Sequence, residues 1–411
     1  MKRVNRIRSH LPAAVAIAVL LTACGQSEEA KAPTPPPPAT PEEQLRLAIE
    51  TAKTGDVITV PEGRLSFDRS LTLNTSGVTI RGVGMDKSVL SFKDQLAGAE
   101  GLLVNASDFL IEDLAIEDSK GDALKINEGK NITVRRVRTE WTNGPATTNG
   151  AYGIYPVQTE NTLIDGSIAI GASDAGIYVG QSKNVIVRNS TARLNVAGIE
   201  IENTIGADVY NNVATENTGG ILVFNMPDLP ITGHSTRVYD NQISGNNTAN
   251  FGAPGTAVAG VPTGTGIIIN ANDKVEIFNN RIGDNNTGNI LVSSAFSAQY
   301  KPRETAPNFD PWPEEIYIYN NEMGPAGSKP DRDYMETLRM TLYGAEGRLP
   351  DVIWDGMINP ERGDAPVICV QNGESKLLNI DAANQFKNPT SDMAKHTCEM
   401  PKLAEIVLAG T

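Results

Sequence analysis

The chain has 411 residues, and its 35 Lys and Arg against 49 Asp and Glu give a formal net charge of −14 at pH 7. This acidic balance argues against a nucleic acid or an anionic membrane surface as the partner. It also disfavours a strongly anionic polymer, unless calcium or a local basic patch intervenes.

The N-terminal segment has the features of an export signal over residues 1–23. A basic start is followed by an apolar stretch from Leu11 to Leu21, which is too short to span a bilayer as a helix. The run Leu21-Thr22-Ala23-Cys24 resembles the lipobox of bacterial lipoproteins, which implies cleavage before Cys24 and acylation of that residue. Because Gly25 follows, the resemblance implies an outer-membrane anchor, with the protein facing the periplasm or the exterior. An ordinary signal peptide with an incidental cysteine is the alternative.

Residues 24–40 contain a run of prolines and predict a semi-rigid tether between the lipidated cysteine and the folded part. With Cys24 acylated, Cys369 and Cys398 are the cysteines that remain. In an oxidising compartment, this pair is predicted to form a disulfide.

The middle of the chain contains a repeat, because β-branched strand centres recur with a base spacing of 22 or 23 residues that insertions lengthen. These centres are Ile80, Ile111, Val134, Ile164, Val187, Val209, Val238, Ile277 and Ile318. A second strand of the form Gly-Ile-x-Ile recurs in the same units, as in Gly198-Ile199-Glu200-Ile201. Short strands and little helix predict an all-β parallel solenoid, a right-handed β-helix over residues 41–325.

Polar residues follow these strand centres at a fixed offset of two positions. They are Asp113, Asn189, Asn211, Asp240, Asn279 and Asn320. Stacked asparagines at an inward turn can hydrogen-bond from coil to coil, so these positions are predicted to form a ladder.

The two ends of the solenoid are predicted to be covered. Residues 45–52 have helical spacing and predict a capping helix, while residues 326–411 are assigned to a capping and tail segment with a short helix over 334–343 and the disulfide. The run from Leu45 through Gly63 and on to Gly84 resembles the opening of bacterial right-handed β-helix proteins, among them the NosD-like, pectate-lyase-like and mannuronan epimerase groups. The layout of lipobox, tether, β-helix and tail also resembles a family of bacterial β-helix lipoproteins, which implies no particular activity.

The long insertions border one sheet, which is therefore predicted to be the floor of a groove. Its outward residues are Lys125, Tyr155, Tyr178, Glu200, Leu222, Ile268 and Leu291, with Asp122, Tyr152 and Asp174 at the edge and Glu202 two residues beyond Glu200. Aromatic faces stack on sugar rings, and charged groups fix hydroxyls or transfer protons, so a polysaccharide is the predicted partner. Trp141 is a further candidate for sugar stacking, although it could equally pack under the loop over residues 143–151.

Three functions remain open for this groove. In β-elimination or C5-epimerisation of a uronate, Tyr155 or Tyr178 would act as base or acid, while Lys125 or Arg193 neutralises the carboxylate. The Asp-Pro-His-Asp motif of the mannuronan epimerases is absent, because residues 172–176 lack the histidine. In glycoside hydrolysis, Glu200 and Asp174 would be the carboxyl pair. The third function is non-catalytic binding of a glycan or a protein by a scaffold lipoprotein.

No cofactor or metal site is predicted. Asp174, Glu200 and Glu202 could hold calcium through their oxygens, which is a minor alternative.

Overall fold

The computed structural model describes residues 39–298 and 304–408. The predicted export signal, Cys24 and nearly all of the tether lie outside this part of the chain. Within the described residues, no helix is long and apolar enough to cross a membrane.

The described residues form two α-helices, α1 (Pro41–Glu50) and α2 (Asp333–Tyr343), two short 3₁₀ turns (Val258–Gly260 and Ala382–Asn384) and 28 strands. The strands are β1 (Val57–Thr59), β2 (Gly63–Ser66), β3 (Arg69–Leu73), β4 (Thr79–Arg81), β5 (Ser88–Ser91), β6 (Ala97–Val104), β7 (Phe109–Glu117), β8 (Leu124–Glu140), β9 (Tyr152–Asp165), β10 (Ile168–Ile170), β11 (Ala175–Gly180), β12 (Lys183–Arg188), β13 (Thr191–Arg193), β14 (Ala197–Glu202), β15 (Ile205–Tyr210), β16 (Val213–Thr215), β17 (Gly219–Phe224), β18 (His234–Tyr239), β19 (Gln242–Ser244), β20 (Thr265–Asn270), β21 (Asp273–Phe278), β22 (Arg281–Gly283), β23 (Gly288–Ser293), β24 (Ile316–Tyr319), β25 (Glu322–Met323), β26 (Val352–Trp354), β27 (Ile368–Gln371) and β28 (Leu377–Asn379).

These strands stack in parallel into three sheets, which we call the front, back and side sheets. The front sheet runs through β3, β6, the starts of β8 and β9, β11, β14, β17, β20, β23, β26 and β28. The back sheet runs through β1, β4, β7, the middle of β8, the end of β9, β12, β15, β18, β21, β24 and β27. The side sheet contains the remaining strands and the ends of β7 and β8.

The predicted strand centres are confirmed as one register row of the back sheet. Each pairs with the next, from Ile80 opposite Ile111 to Ile277 opposite Ile318, and all nine side chains are fully buried. Because alternate residues of a strand point to opposite faces, a β-branched side chain at this position in every coil builds a continuous apolar core.

The predicted asparagine ladder is shifted by one residue. The residues two positions after the strand centres have left-handed backbone conformations, with φ of 54° at Asn211, and the ladder is formed by the residues that follow them. Asn212 Nδ2 donates to Asn241 Oδ1 at 3.1 Å, and Asn241 Nδ2 donates to Asn280 Oδ1 at 2.9 Å. The left-handed residue turns the chain, which directs the next side chain inward.

A second ladder lies at the turn between the side and front sheets. It consists of Asn195, Asn217, Asn246 and Asn285, whose side chains are joined in series by hydrogen bonds of 3.0 to 3.3 Å. Both ladders give the buried amides hydrogen bonds that replace those made to water in the unfolded chain.

The predicted capping helix is present as α1. Thr40 and Glu43 form a capping box at its start, and the helix buries Leu45 and Ile49 against the first coil. These apolar contacts cover the N-terminal end of the stack, which would otherwise be open.

The parallel stack extends beyond the predicted boundary at residue 325, because β26, β27 and β28 pair with strands of the front and back sheets. Long insertions separate these last strands, so the base spacing is lost from the sequence. The predicted disulfide between Cys369 and Cys398 is confirmed, with 5.1 Å between the Cα atoms.

The last described residues cross the outer surface of the back sheet towards earlier coils. The ammonium of Lys402 lies 4.9 Å from the centre of the Tyr319 ring, and Ile406 N donates to Asp208 Oδ2 at 3.0 Å. Leu408 is buried in a cluster that lies further along the sheet. The tail therefore covers apolar surface on the sheet opposite the candidate site.

Candidate functional site

The predicted row of outward residues lies in register on the front sheet. Lys125 is opposite Tyr155, Tyr178 is opposite Glu200, and the row continues through Leu222, Ile268 and Leu291. The pairing of Ile177 with Ile154 places Tyr178 beside Tyr155. Side chains in neighbouring coils of this row therefore stand about 4.8 Å apart.

The expectation that this row is an open floor is wrong for its central part. Glu200 is 2% exposed and Leu222 is fully buried, and the insertion between Asn246 and Thr265 folds down onto the sheet at Leu222. Val258 and Val261 of this insertion pack in one apolar cluster with Leu222. Burial of apolar area stabilises this closed arrangement, so the insertion is a roof rather than a groove wall.

Three tyrosines form a compact aromatic surface beside the roofed region. The ring centres of Tyr152 and Tyr155 are 4.3 Å apart, and Tyr178 lies 4.7 Å from Tyr152 and 4.9 Å from Tyr155. Tyr152 and Tyr155 are partly exposed, whereas Tyr178 is buried. The Lys125 ammonium lies 5.1 Å from the centre of the Tyr155 ring.

Three carboxyl groups lie against these tyrosines. The Tyr178 hydroxyl donates to Glu202 Oε1 at 2.5 Å, and the Tyr152 side chain lies close enough to Asp174 to lower the pKa of that carboxyl group, against the larger raising effect of burial. Glu200 and Glu202 are two residues apart on β14, so they project from the same face. Among the described residues, Asp174 Oδ1 and Glu200 Oε2 are buried without a hydrogen-bond partner.

Burial is the main cause of unusual protonation in this cluster, which we call the carboxyl–tyrosine cluster. It raises the pKa of Asp174 to about 8 and that of Glu202 to about 7, with negative neighbours adding to both shifts. The pKa of Glu200 is raised well above its ordinary range by burial and by Asp174 and Glu202. The cluster therefore binds protons near neutral pH.

The same burial keeps the phenols neutral. The pKa values of Tyr152 and Tyr178 lie well above 10, because desolvation and the nearby carboxylates disfavour a phenolate. These tyrosines are thus arranged as hydrogen-bond and proton donors, and their environment opposes the predicted alternative of a tyrosine base.

Two further carboxyl groups accompany Lys125 at the edge of the cluster. The ammonium is 3.8 Å from Asp122 and 3.8 Å from Glu100. Burial raises the pKa of Asp122 to about 6, against the lowering effect of Lys125. The surroundings of the tyrosine surface are therefore richer in carboxyl groups than in cations.

Two predicted substrate-binding residues lie elsewhere. Trp141 is buried, and its indole N–H donates to the carbonyl of Ser119 at 2.8 Å, so it packs under the neighbouring loop and cannot stack on a sugar. Arg193 lies on β13 in the side sheet, in register with Ile170 and Thr215, and no contact described in the structure joins it to the cluster.

The minor calcium alternative gains no support from the geometry. Among residues 39–298 and 304–408, no three His, Cys, Asp or Glu side chains are grouped as a metal ion would require. Burial and the neighbouring carboxyl groups instead raise the pKa values of Asp174 and Glu200.

The architecture can now be compared with known proteins. Residues 71–236 match the family model that describes a right-handed β-helix region. The chain is a right-handed parallel β-helix. No curated protein sequence matches it significantly.

Solved structures are similar in fold. The A-module of the mannuronan C-5 epimerase AlgE4 from Azotobacter vinelandii is 18% identical, with a TM-score of 0.50, and the match covers 75% of this chain and 86% of that one. A mannuronic acid-specific polysaccharide family 6 lyase from human gut microbiota is 14% identical, with a TM-score of 0.45 and coverage of 68% and 72%. A GH87 α-1,3-glucanase from Streptomyces thermodiastaticus is 13% identical, with a TM-score of 0.44 and coverage of 80% and 48%.

Proposed function

We propose that the carboxyl–tyrosine cluster binds a polysaccharide and cleaves its glycosidic bond by acid–base catalysis. The observation that carries this proposal is the set of three interacting carboxyl groups, the buried Asp174 and Glu200 and the partly exposed Glu202, against a partly exposed surface of three tyrosines. A β-helix of similar fold is an epimerase of mannuronan, which fits a sugar polymer as the partner.

The protonation states suit a glycosidase acid and its partner. With a pKa of about 8, Asp174 is mostly protonated at pH 7 and can donate to the glycosidic oxygen. Burial raises the pKa of Glu202 less far, to about 7, so Glu202 is the more readily ionised of the two and serves as the base or nucleophile. Glu200 is 2% exposed and therefore does not contact the sugar in this structure, but its carboxyl group helps to raise the pKa values of the Tyr152 and Tyr178 phenols.

The substrate class follows from charge and shape. The tyrosine rings offer apolar faces for a pyranose ring, and the surrounding carboxyl groups outnumber the one ammonium of Lys125. A uronate polymer would add negative charge to this region and raise its pKa values further. We therefore propose a neutral polysaccharide as the substrate.

β-Elimination or C5-epimerisation of a uronate is the second candidate. It is favoured by the position of Lys125, whose ammonium lies over the Tyr155 ring where it could pair with a substrate carboxylate. The neutral phenol of Tyr178 would then donate a proton, and an ionised carboxyl group would have to act as the base.

The test is a turnover screen of the purified chain against neutral and uronate polysaccharides. Reducing ends report hydrolysis, absorbance of unsaturated products reports elimination, and NMR reports C5 inversion. Asp174→Asn is expected to lower the rate at least 100-fold, whereas Glu322→Gln, which affects an exposed ion pair with Arg281, should leave it unchanged. Glycan binding without turnover by any readout would refute catalysis and leave the non-catalytic scaffold.

We also propose that the protein is anchored through acylated Cys24 in the outer membrane. The run from Leu21 to Cys24 supports the acylation, and Gly25 after the cysteine supports the outer membrane as the location. Incorporation of labelled palmitate in cells, lost in Cys24→Ser, is the expected result. Equal labelling of the variant would contradict the proposal.

A further inference from the structure

A cavity of about 330 Å³ lies further along the front sheet, outside the carboxyl–tyrosine cluster. Its floor contains Ile268, Leu291 and Ile353, which continue the register row beyond Leu222. The roof residue Val261 lines this cavity and also packs over Leu222. One apolar partition therefore separates the cavity from the carboxyl groups, and it is a distinct site of the size that small ligands occupy.

The walls of the cavity are mostly aliphatic and flexible. Met226, Met335 and Met357 line it, and methionine side chains adapt to unbranched apolar ligands. Two aromatic residues that line the cavity are exposed to solvent, with Phe296 at 59% and Tyr334 at 40%. Exposed aromatic side chains beside an apolar cavity indicate an entrance for an apolar ligand.

Three of the polar side chains in the lining, Ser293, Ser297 and Asp355, are bonded to protein groups. Ser293 Oγ donates to Asn270 Oδ1 at 3.0 Å, and Ser297 Oγ donates to Asp355 Oδ2 at 2.7 Å. The backbone N–H of Ser294 donates to the same carboxylate oxygen at 2.7 Å. A sugar needs several convergent hydrogen-bonding groups, and these side chains are already engaged, so the lining suits a ligand with an apolar body.

One cation lines the cavity. Arg332 Nη2 donates to the carbonyl of Gly260 at 2.6 Å, and Nη1 lies 3.3 Å from Asp331. A guanidinium has five N–H donors in a planar fork, and these two contacts leave capacity for a further acceptor. Its side chain is 25% exposed, so a ligand carboxylate can reach it from solvent.

We propose that this cavity binds the anion of a free fatty acid, with the alkyl chain over Ile268, Leu291 and Ile353 and the carboxylate on Arg332. The proposal does not depend on the function of the carboxyl–tyrosine cluster. Alkyl chain and carboxylate make separate contributions, because the first is bound by apolar burial and the second by charge-assisted hydrogen bonds.

The test is calorimetric titration of the purified chain with octanoate, decanoate and dodecanoate below their micelle concentrations. Each added CH₂ is expected to tighten the Kd about 3- to 4-fold until the cavity is full. Leu291→Trp places an indole in the cavity and is expected to weaken decanoate binding at least tenfold. Leu103→Trp, an outward substitution in the same row and remote from the cavity, should leave the Kd unchanged.

Arg332→Gln tests the head group. The substitution is expected to weaken decanoate about tenfold or more while leaving the Kd of 1-decanol unchanged, and the 1-decanol arm shows whether the cavity itself has collapsed. Absence of decanoate binding, a Kd that does not depend on chain length, or equal effects of the two tryptophan variants would overturn the site. An equal loss of decanoate and 1-decanol binding would overturn recognition of the carboxylate by Arg332.

Discussion

Replacing Asn241 by alanine tests whether the inner asparagine ladder holds the coils together. The buried Asn241 side chain donates to the carbonyl of Val209 and to Asn280 Oδ1, and it accepts from the backbone and side-chain N–H groups of Asn212. Asn241→Ala leaves the two donors of Asn212 without their partner. At about 1–3 kcal/mol for each unsatisfied buried group, the free energy of unfolding should fall by about 4 kcal/mol.

The assay is urea unfolding of the purified chain, followed by far-ultraviolet circular dichroism. Asn105→Ala is the matched control, because Asn105 donates to Asn74 of the preceding coil at 2.9 Å in an exposed position, where water replaces the lost bond. This control should cost less than about 1 kcal/mol. Equal shifts of the unfolding midpoint in the two variants would refute the argument that burial makes the ladder important.

Three further predictions concern covalent closure, pH and packing. Replacing Cys369 and Cys398 by serine opens a loop with a sequence separation of 29 residues. The unfolding free energy should fall by about 3.6 kcal/mol relative to the oxidised chain. An unchanged midpoint of urea unfolding would contradict this prediction. Because burial raises the pKa of Asp174 to about 8, the native chain keeps a proton that the unfolded chain releases between about pH 4 and pH 8. The unfolding free energy should therefore fall as pH rises through that window, and less steeply in Asp174→Asn; parallel profiles would argue against the buried acid. In Gly220→Ala, the added Cβ would lie 2.5 Å from the carbonyl oxygen of Gly266, so we expect a loss of about 1–3 kcal/mol in the same urea assay, and a neutral result would show that the coils can separate locally.

The repeat could be recognised in the sequence because inward strand positions tolerate few residue types. Ile80 and its eight successors are all β-branched, and the structure places every one in the same buried row. The outward row from Lys125 to Leu291 followed from the same alternation. Insertions between coils changed the spacing without changing this pattern, until the long insertions after residue 325 concealed the last coils.

The same pattern did not show which residues form the asparagine ladder. Pairs such as Asn211-Asn212 and Asn279-Asn280 offer two adjacent polar residues, and either could point inward. The left-handed φ at Asn211 and Asn279 decides the choice, because it turns the chain so that the second residue of each pair enters the core.

The sequence predicted which residues form the candidate site, but it did not predict how they are covered. The sequence placed Tyr155, Tyr178 and Glu200 in one row, and Asp174 near it. The roof over Leu222 was missed, although the apolar residues Val258 and Val261 in the insertion were a signal for it.

By itself, the sequence determined the parallel β-helix and its register, because these depend on a local alternation that recurs in every coil. It also indicated the cysteine pair, because Cys369 and Cys398 are the cysteines that remain beside Cys24. Only the tertiary structure decided which side chains lose water. Whether the Asn246–Thr265 insertion stands away from the sheet or folds onto Leu222 depends on contacts between distant segments. The pKa of Glu200 is raised because the folded chain buries its side chain beside Asp174 and Glu202. The apolar cavity likewise forms only when Ile353, from a late coil, stacks beside Leu291.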